Sequence, residues 1–299
     1  MTSGIRVAVI GTGRMGGAMV VRLRGAGFGV SAYNRSRAKA EAVAARSGAT
    51  VAATAREAAA AADVVLVSLA DDAAVTSAYG GEEGIVAGLR PGSVVLETST
   101  VAPETVAALQ PLVDKQGATL LDTPVSGSVV FVEEGKLAVM AGGPGNVLDR
   151  VRPVLDALAA RVFHVGESGS GAAMKLAVNS IVHALNQAVS EALVLAEQAG
   201  VERESAYEVF AASAIAAPFV QYKRDAFLHP DETPVAFTLD LVAKDLDLAL
   251  ALAERVGTPM PQAAVNRRLA RAAGEAGFAE RDLSAMAAYL RQSRERGAP

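Results

Sequence analysis

Residues 11–16 read Gly-Thr-Gly-Arg-Met-Gly, directly after the apolar run 7–10 and at the head of a segment with helical periodicity. Few short stretches restrict a fold so strongly. A strand that ends in G-x-G-x-x-G and passes into a helix predicts a parallel βαβ unit. In such a unit the first glycine makes the tight turn, the second lets a ligand approach the backbone, and the third lets helix and sheet pack closely. The helix N-terminus adds unpaired N–H groups and a partial positive charge, so the ligand expected there is a pyrophosphate.

The rest of the chain extends this reading. Short β-branched runs recur at 7–10, 64–67, 94–96 and 120–121, each followed by an alanine-rich segment of helical period, the pattern of a parallel sheet with crossover helices. Further strands are expected at 29–33, 137–141 and 162–165, with Gly-Gly-Pro-Gly-Asn at 142–146 as a turn into the next helix. Beyond residue 165 the strand signal stops. A long, largely apolar, proline-free helix is expected over 171–199, then helices broken at 216–218, 228–234 and 257–262. The predicted architecture is a doubly wound, mainly parallel α/β domain of the Rossmann type over residues 1–165. It is followed by an all-α domain over 166–299 that serves substrate binding and dimerisation, the two joined through a long interdomain helix.

Composition narrows the function. With 51% hydrophobic residues, 20% charged residues and a net charge of −4, the chain has no basic footprint for nucleic acid. Its longest apolar stretch, 58–70, is interrupted by Asp63 and falls short of the ~20 residues a membrane helix needs. It has no cysteine, which removes disulfides, thiolate metal sites and thiol nucleophiles, and points by default to a reducing cytoplasm. The apolar run 7–10 follows the first residues too closely for a signal peptide. The three histidines, His164, His183 and His229, have no metal-ligand spacing, so no metal and no catalytic role are assigned to them.

The cofactor can be specified further. A site selective for NAD usually carries Asp or Glu ~20 residues after the first glycine, bonded to the ribose hydroxyl. No carboxylate occurs between Gly11 and Glu41, and the turn after 29–33 offers Asn34, Arg35 and Ser36. A guanidinium flanked by neutral donors suits a 2′-phosphate, so the expected cofactor is NADP(H).

Three later stretches place polar residues at strand ends or on one helix face: residues 97–103, 122–143 and 169–180. Lys175 and Asn179 lie four apart and so share a face, which also carries Asn186. Taken in order, the glycine motif, Ser99-Thr100, Pro124-Val125-Ser126-Gly127, Lys175 with Asn179, and Lys-Asp-Leu-Asp-Leu-Ala-Leu at 244–250 resemble the β-hydroxyacid dehydrogenase family over nearly the whole chain. The family includes 3-hydroxyisobutyrate dehydrogenases and glyoxylate/succinic semialdehyde reductases.

The resemblance implies a dehydrogenase or reductase acting on CH–OH or C=O, with Lys175 as acid/base and Asn179 orienting substrate and lysine. It implies that Ser126, Gly127 and Ser128 hold a substrate carboxylate, that Thr100 lines the site, and that Phe237, Lys244 and Asp245 close the pocket from the helical domain. Gly11, Thr12, Gly13, Arg14, Met15, Gly16, Asn34, Arg35, Ser36, Leu69, Ala70, Thr100 and Lys244 would contact the cofactor. The partner is a small carboxylate-bearing molecule, and the apolar residues Ile181, Val182, Leu185, Val189, Leu193 and Leu195 predict a homodimer or dimer of dimers.

The chain departs from the family where Ser128, Phe131 and Val132 replace small residues, which predicts a narrowed or reshaped substrate pocket, and where Ser180 replaces a second asparagine. An imine reductase on the same fold is the alternative, and a non-catalytic dinucleotide-binding scaffold a further one. Lys175, a position at which imine reductases typically carry another residue, favours carbonyl chemistry.

Overall fold

The computed structural model describes residues 4–295, with side chains to Arg294, and separates into two compact units, Met1–Lys175 and Leu176–Pro299. The division at 175/176 falls inside the helix Ser170–Gln198, whereas the sequence reading put the domain boundary at 165/166.

The first unit is built on nine strands: β1 (Arg6–Ile10), β2 (Gly29–Tyr33), β3 (Thr50–Val51), β4 (Val64–Val67), β5 (Val94–Glu97), β6 (Thr119–Asp122), β7 (Val125–Ser126), β8 (Leu137–Gly142) and β9 (Ala159–Gly166). Their order is β3-β2-β1-β4-β5-β6-β8-β7, with β9 paired to β8. The first six are parallel throughout, β8 runs antiparallel to β6 and β7, and β9 runs parallel to β8. Because β1 has β2 on one side and β4 on the other, chain order reverses beside it and a crevice opens at the carboxyl ends of β1 and β4.

The central strands are apolar on both sides because both faces are covered by helices. Val7 and Val9 pack with Met19, Leu23 and Leu155. Their neighbours Ala8 and Ile10 pack on the opposite face with Val75, Val106 and Leu109. β3 and β7 have two residues each, too few to show a period, and sequence reasoning passed over both. Residues 129–133 form the short helix Val129–Glu133.

In the second unit, helices that include Arg203–Ala212, Leu239–Arg255 and Pro261–Ala273 gather with the later part of Ser170–Gln198 around Val189, Leu193, Tyr207, Phe227, Leu239 and Leu246. The interruptions lie where proline and glycine predict them. Pro218 and Pro261 occupy first-turn positions of their helices, where a missing N–H costs nothing. One buried carboxylate organises the connection before Leu239–Arg255. Asp282 receives the Lys223 ammonium at 2.8 Å and the N–H groups of Ala236, Phe237 and Ser284 at 2.9, 3.3 and 3.1 Å. Among the described residues no helix is long and apolar enough to cross a membrane, and no cluster of side chains could hold a metal ion.

Candidate functional site

In the first unit the site begins at the turn after β1. Gly11 has φ +95°, and a Cβ there would lie 2.2 Å from the Ser68 carbonyl oxygen. A Cβ on Gly16 would lie 2.0 Å from the Gly11 carbonyl oxygen, so the helix Arg14–Gly25 approaches the turn as only glycine allows. Gly13 is different, because no protein atom lies within 4 Å of where its Cβ would be. It sits at the N-cap of the helix with no side chain capping the first turn. Open space over an uncapped helix N-terminus fits a pyrophosphate.

Gly11 and Gly13 form one wall of a cavity of about 620 Å³ whose other walls include Asn34, Arg35, Ser36, Lys39, Ser68, Leu69 and Ala70. Thus the structure brings together most of the residues expected to hold the cofactor. Thr12, Arg14, Met15, Gly16, Thr100 and Lys244 are outside its lining. Lys39, which sequence reasoning missed, lies three residues after Ser36, one helical turn into Arg37–Ser47, and that spacing was the available signal. Asn34 has a structural part besides its place on the wall. Its Oδ1 accepts the Thr12 N–H at 3.1 Å and its Nδ2 donates to the Ser36 carbonyl at 3.0 Å, so it braces the glycine turn against the end of β2. The carboxylates of the cavity, Glu82 and Glu83, come from the segment after the helix Asp72–Tyr79, not from the end of β2.

Thr100 follows β5, and Ser126, Gly127 and Ser128 form the turn between β7 and Val129–Glu133; all four are half-buried. Gly127 has φ +136°, and a Cβ there would meet Leu137 and Phe131 at 2.8 and 2.9 Å. Val132 is buried in the core and Phe131 packs against it. The short helix Val129–Glu133 thus turns Phe131 and Val132 toward the core, with Phe131 directly beside the turn at Gly127.

The half-buried Lys175 stands in the second turn of Ser170–Gln198. The start of this helix is fixed by Asp122 at the end of β6, whose Oδ1 and Oδ2 accept the N–H groups of Gly169 and Ala172 at 2.9 and 2.8 Å. Burial holds the Asp122 carboxyl above its ordinary range although these amides pull the other way.

In the second unit Asn179, Lys244 and Asp245 form one cluster. Asn179 Nδ2 donates to Asp245 Oδ2 at 2.5 Å, and Lys244 Nζ stands 2.9 Å from Oδ1. Asp245 is 1% exposed. Burial works against its charge, but His183 and the Lys244 ammonium outweigh it and draw the carboxyl down to about 2. His183, given no role from sequence, is buried with Nε2 3.5 Å from Asp245 Oδ2, and its ring lies 5.8 Å from that of Phe237. The signal was its place four residues after Asn179, on the same helical face. Asn186 instead donates to the Leu283 carbonyl at 2.9 Å as part of the interior.

Residues 6–166 match the NAD binding domain of 6-phosphogluconate dehydrogenase, and residues 169–290 match a domain described as NAD-binding of NADP-dependent 3-hydroxyisobutyrate dehydrogenase. The chain is 30% identical over 287 residues to 2-(hydroxymethyl)glutarate dehydrogenase from Eubacterium barkeri, covering 96% of this chain and 95% of that one. It superposes on 3-hydroxyisobutyrate dehydrogenase from Salmonella typhimurium with a TM-score of 0.87 at 28% identity, covering 95% and 99% of the two chains. An imine reductase from Pseudomonas sp. has a TM-score of 0.65 at 21% identity over 95% and 98%, a likeness of fold alone.

The glycines divide into two kinds, which mutation should separate. Gly16→Ala should cost about 1–3 kcal/mol of stability through overpacking. Gly13→Ala should cost no more than about 1 kcal/mol, the difference between a glycine and an alanine cap, yet should sharply weaken dinucleotide binding. Urea denaturation and an NADPH titration of both variants check this.

Proposed function

The chain belongs to the β-hydroxyacid dehydrogenase family of NAD(P)-binding oxidoreductases, and from that premise we propose that it transfers hydride between NADP(H) and a small carboxylate-bearing aldehyde or ketone, or in reverse the matching hydroxy acid. The observation that carries the cofactor choice is the placement of Arg35, Ser36 and Lys39 on the wall of the cavity that also contains Gly11 and Gly13. Two cations and a hydroxyl at the end of β2 suit a 2′-phosphate, where a carboxylate would repel it.

The residues fit the remaining chemistry. When bound, the cofactor supplies or accepts the hydride. A carbonyl oxygen whose carbon receives hydride needs a proton, and Lys175 provides it. Asn179 follows one turn later on the same face, its amide held by Asp245, and so presents a fixed donor to the substrate. The hydroxyls of Ser126 and Ser128, on a turn only glycine at 127 permits, hold the carboxylate. The names of the relatives, a (hydroxymethyl)glutarate and a hydroxyisobutyrate dehydrogenase, support a carboxylate-bearing substrate.

The second unit supports self-association. Ile181 and Leu195 are 69% and 71% exposed although apolar, and with the exposed Ala188 between them they repeat every seven residues along one helix face, the spacing of a helix–helix seam. Val189 and Leu193, expected on such a face, are buried in the core of the unit.

Charge-assisted bonds from Arg35 should make NADPH preferred over NADH by about 10- to 100-fold in kcat/KM, equivalent to roughly 1.5–3 kcal/mol. Arg35→Asp should abolish or reverse that preference, and equal use of both cofactors by the unaltered enzyme would refute it. Lys175→Met should lower kcat on the order of 10²–10⁴-fold with NADPH binding intact, while Ser126→Ala should mainly raise KM for oxo-acids. A panel in which cyclic imines are reduced and every oxo-acid is left untouched would move the assignment to an imine reductase. Light scattering should show a dimer or larger, and Leu195→Glu should shift it toward monomer.

A further inference from the structure

Glu97 ends β5 and is 1% exposed. It takes no part in the carbonyl chemistry and stands behind the cavity lining, to which two chains of contacts connect it. Its Oε1 accepts the Ser99 N–H at 2.9 Å and its Oε2 accepts the Tyr79 hydroxyl at 3.0 Å. The Ser99 hydroxyl oxygen accepts the Leu69 N–H at 2.9 Å. Leu69 lines the cavity, as do Ala78 and Gly80 on either side of Tyr79. One carboxylate therefore reaches one wall through Ser99 and another through the end of the helix Asp72–Tyr79.

The network depends on charge. One hydrogen meets each oxygen of Glu97, an arrangement that a carboxylate accepts in full. A carboxylic acid carries its own proton and has to donate it. The Tyr79 hydroxyl, which donates to Glu97, must then turn to accept, and its own hydrogen loses its partner in a place closed to water. Tyr79 is 0% exposed and Ser99 5%, so the lost bond is not replaced by solvent.

We propose that Glu97 is a positioning residue for the dinucleotide: as a carboxylate it holds the Leu69 and Tyr79 walls, and uptake of one proton releases one of them and weakens cofactor binding. The inference rests on the dinucleotide reading of the cavity.

Its titration falls in a useful range. Burial lifts the Glu97 carboxyl to about 7 against the pull of the Ser99 and Tyr79 donors, and the Asp72 charge adds to the rise. The other ionisable groups around it have partners of their own. Burial pushes the Tyr79 phenol well up, so it remains neutral. Asp72 is engaged with the Ala102 N–H and the Thr105 hydroxyl. Asp122, the register partner of Glu97 on β6, turns its carboxylate to Gly169 and Ala172. Phosphates held at the turn after β1 would repel a charged Glu97, so the difference expected below is what the network contributes beyond that repulsion. Affinity should therefore be high above about pH 7, with Glu97 ionised, and fall below it.

The test is the dissociation constant of NADPH, read from its own fluorescence between about pH 6 and about pH 8.5, for the unaltered protein and for Glu97→Gln, which is neutral throughout. The 2′-phosphate of NADPH titrates near 6 and contributes equally to both, so the ratio of the two constants isolates Glu97. The ratio should approach one at the acid end and reach on the order of tenfold in favour of the unaltered protein at the alkaline end. Tyr79→Phe should weaken binding at the alkaline end and flatten the profile. A ratio independent of pH overturns the proposal, and so does a Tyr79→Phe profile identical to that of the unaltered protein. If the unaltered protein binds NADPH at no pH, the dinucleotide reading falls and this inference with it; a flat ratio removes this inference alone.

Discussion

The carboxylate of Asp122 fixes more of the first unit than its size suggests. It stands at the end of β6, accepts the amides of Gly169 and Ala172, and thereby sets where the helix Ser170–Gln198 begins. Lys175 takes its place one turn later, and the face that continues through Asn179 and His183 is set by the same starting point. A Cβ on Gly171 would lie 2.5 Å from the Met140 carbonyl oxygen, so the helix starts hard against the sheet as well as capped by it. Position along this helix is decided by a hydrogen bond at its head and by close packing together.

The same device recurs. Glu97, Asp122, Asp245 and Asp282 are all buried. The amides of Ser99, of Gly169 and Ala172, and of Ala236, Phe237 and Ser284 turn toward Glu97, Asp122 and Asp282, and the Asn179 side chain turns toward Asp245. A buried carboxylate is costly unless several donors meet it, and loops are where backbone N–H groups lack partners. Glu97, Asp122 and Asp282 settle both problems at once. The result is that the loops bearing Thr100 and Phe237 and the start of the helix bearing Lys175 are held by specific bonds in addition to general packing.

The parts of this architecture that repeat along the chain were legible in its sequence. Apolar strand runs, the glycine turn and the proline breaks gave the α/β half, the helical half and the cofactor wall, because each is a local pattern with a local cause. Two-residue strands such as β3 and β7 owe their existence to partners across the sheet and leave no period to read. Phe131 and Val132 looked like obstructions because the sequence does not say which way a five-residue helix turns its apolar side. His183 looked idle because its partner, Asp245, is distant in the chain. Val189 and Leu193 counted as surface until the core of the second unit claimed them. Glu97 lay within a stretch read for its hydroxyls, and nothing local revealed that Tyr79 would reach it.

The glycine turn also bears on how such a sequence can drift. Replacement of Gly11 or Gly16 collides with backbone and is punished wherever the chain has to fold. Replacement of Gly13 meets empty space, so selection for folding barely sees it, and only the demand for a bound ligand can preserve it. Within one six-residue motif, two letters are guarded by the architecture and one by use. A descendant that abandoned its cofactor could keep the fold and lose that middle glycine first, which makes position 13 a record of whether the site is still in service.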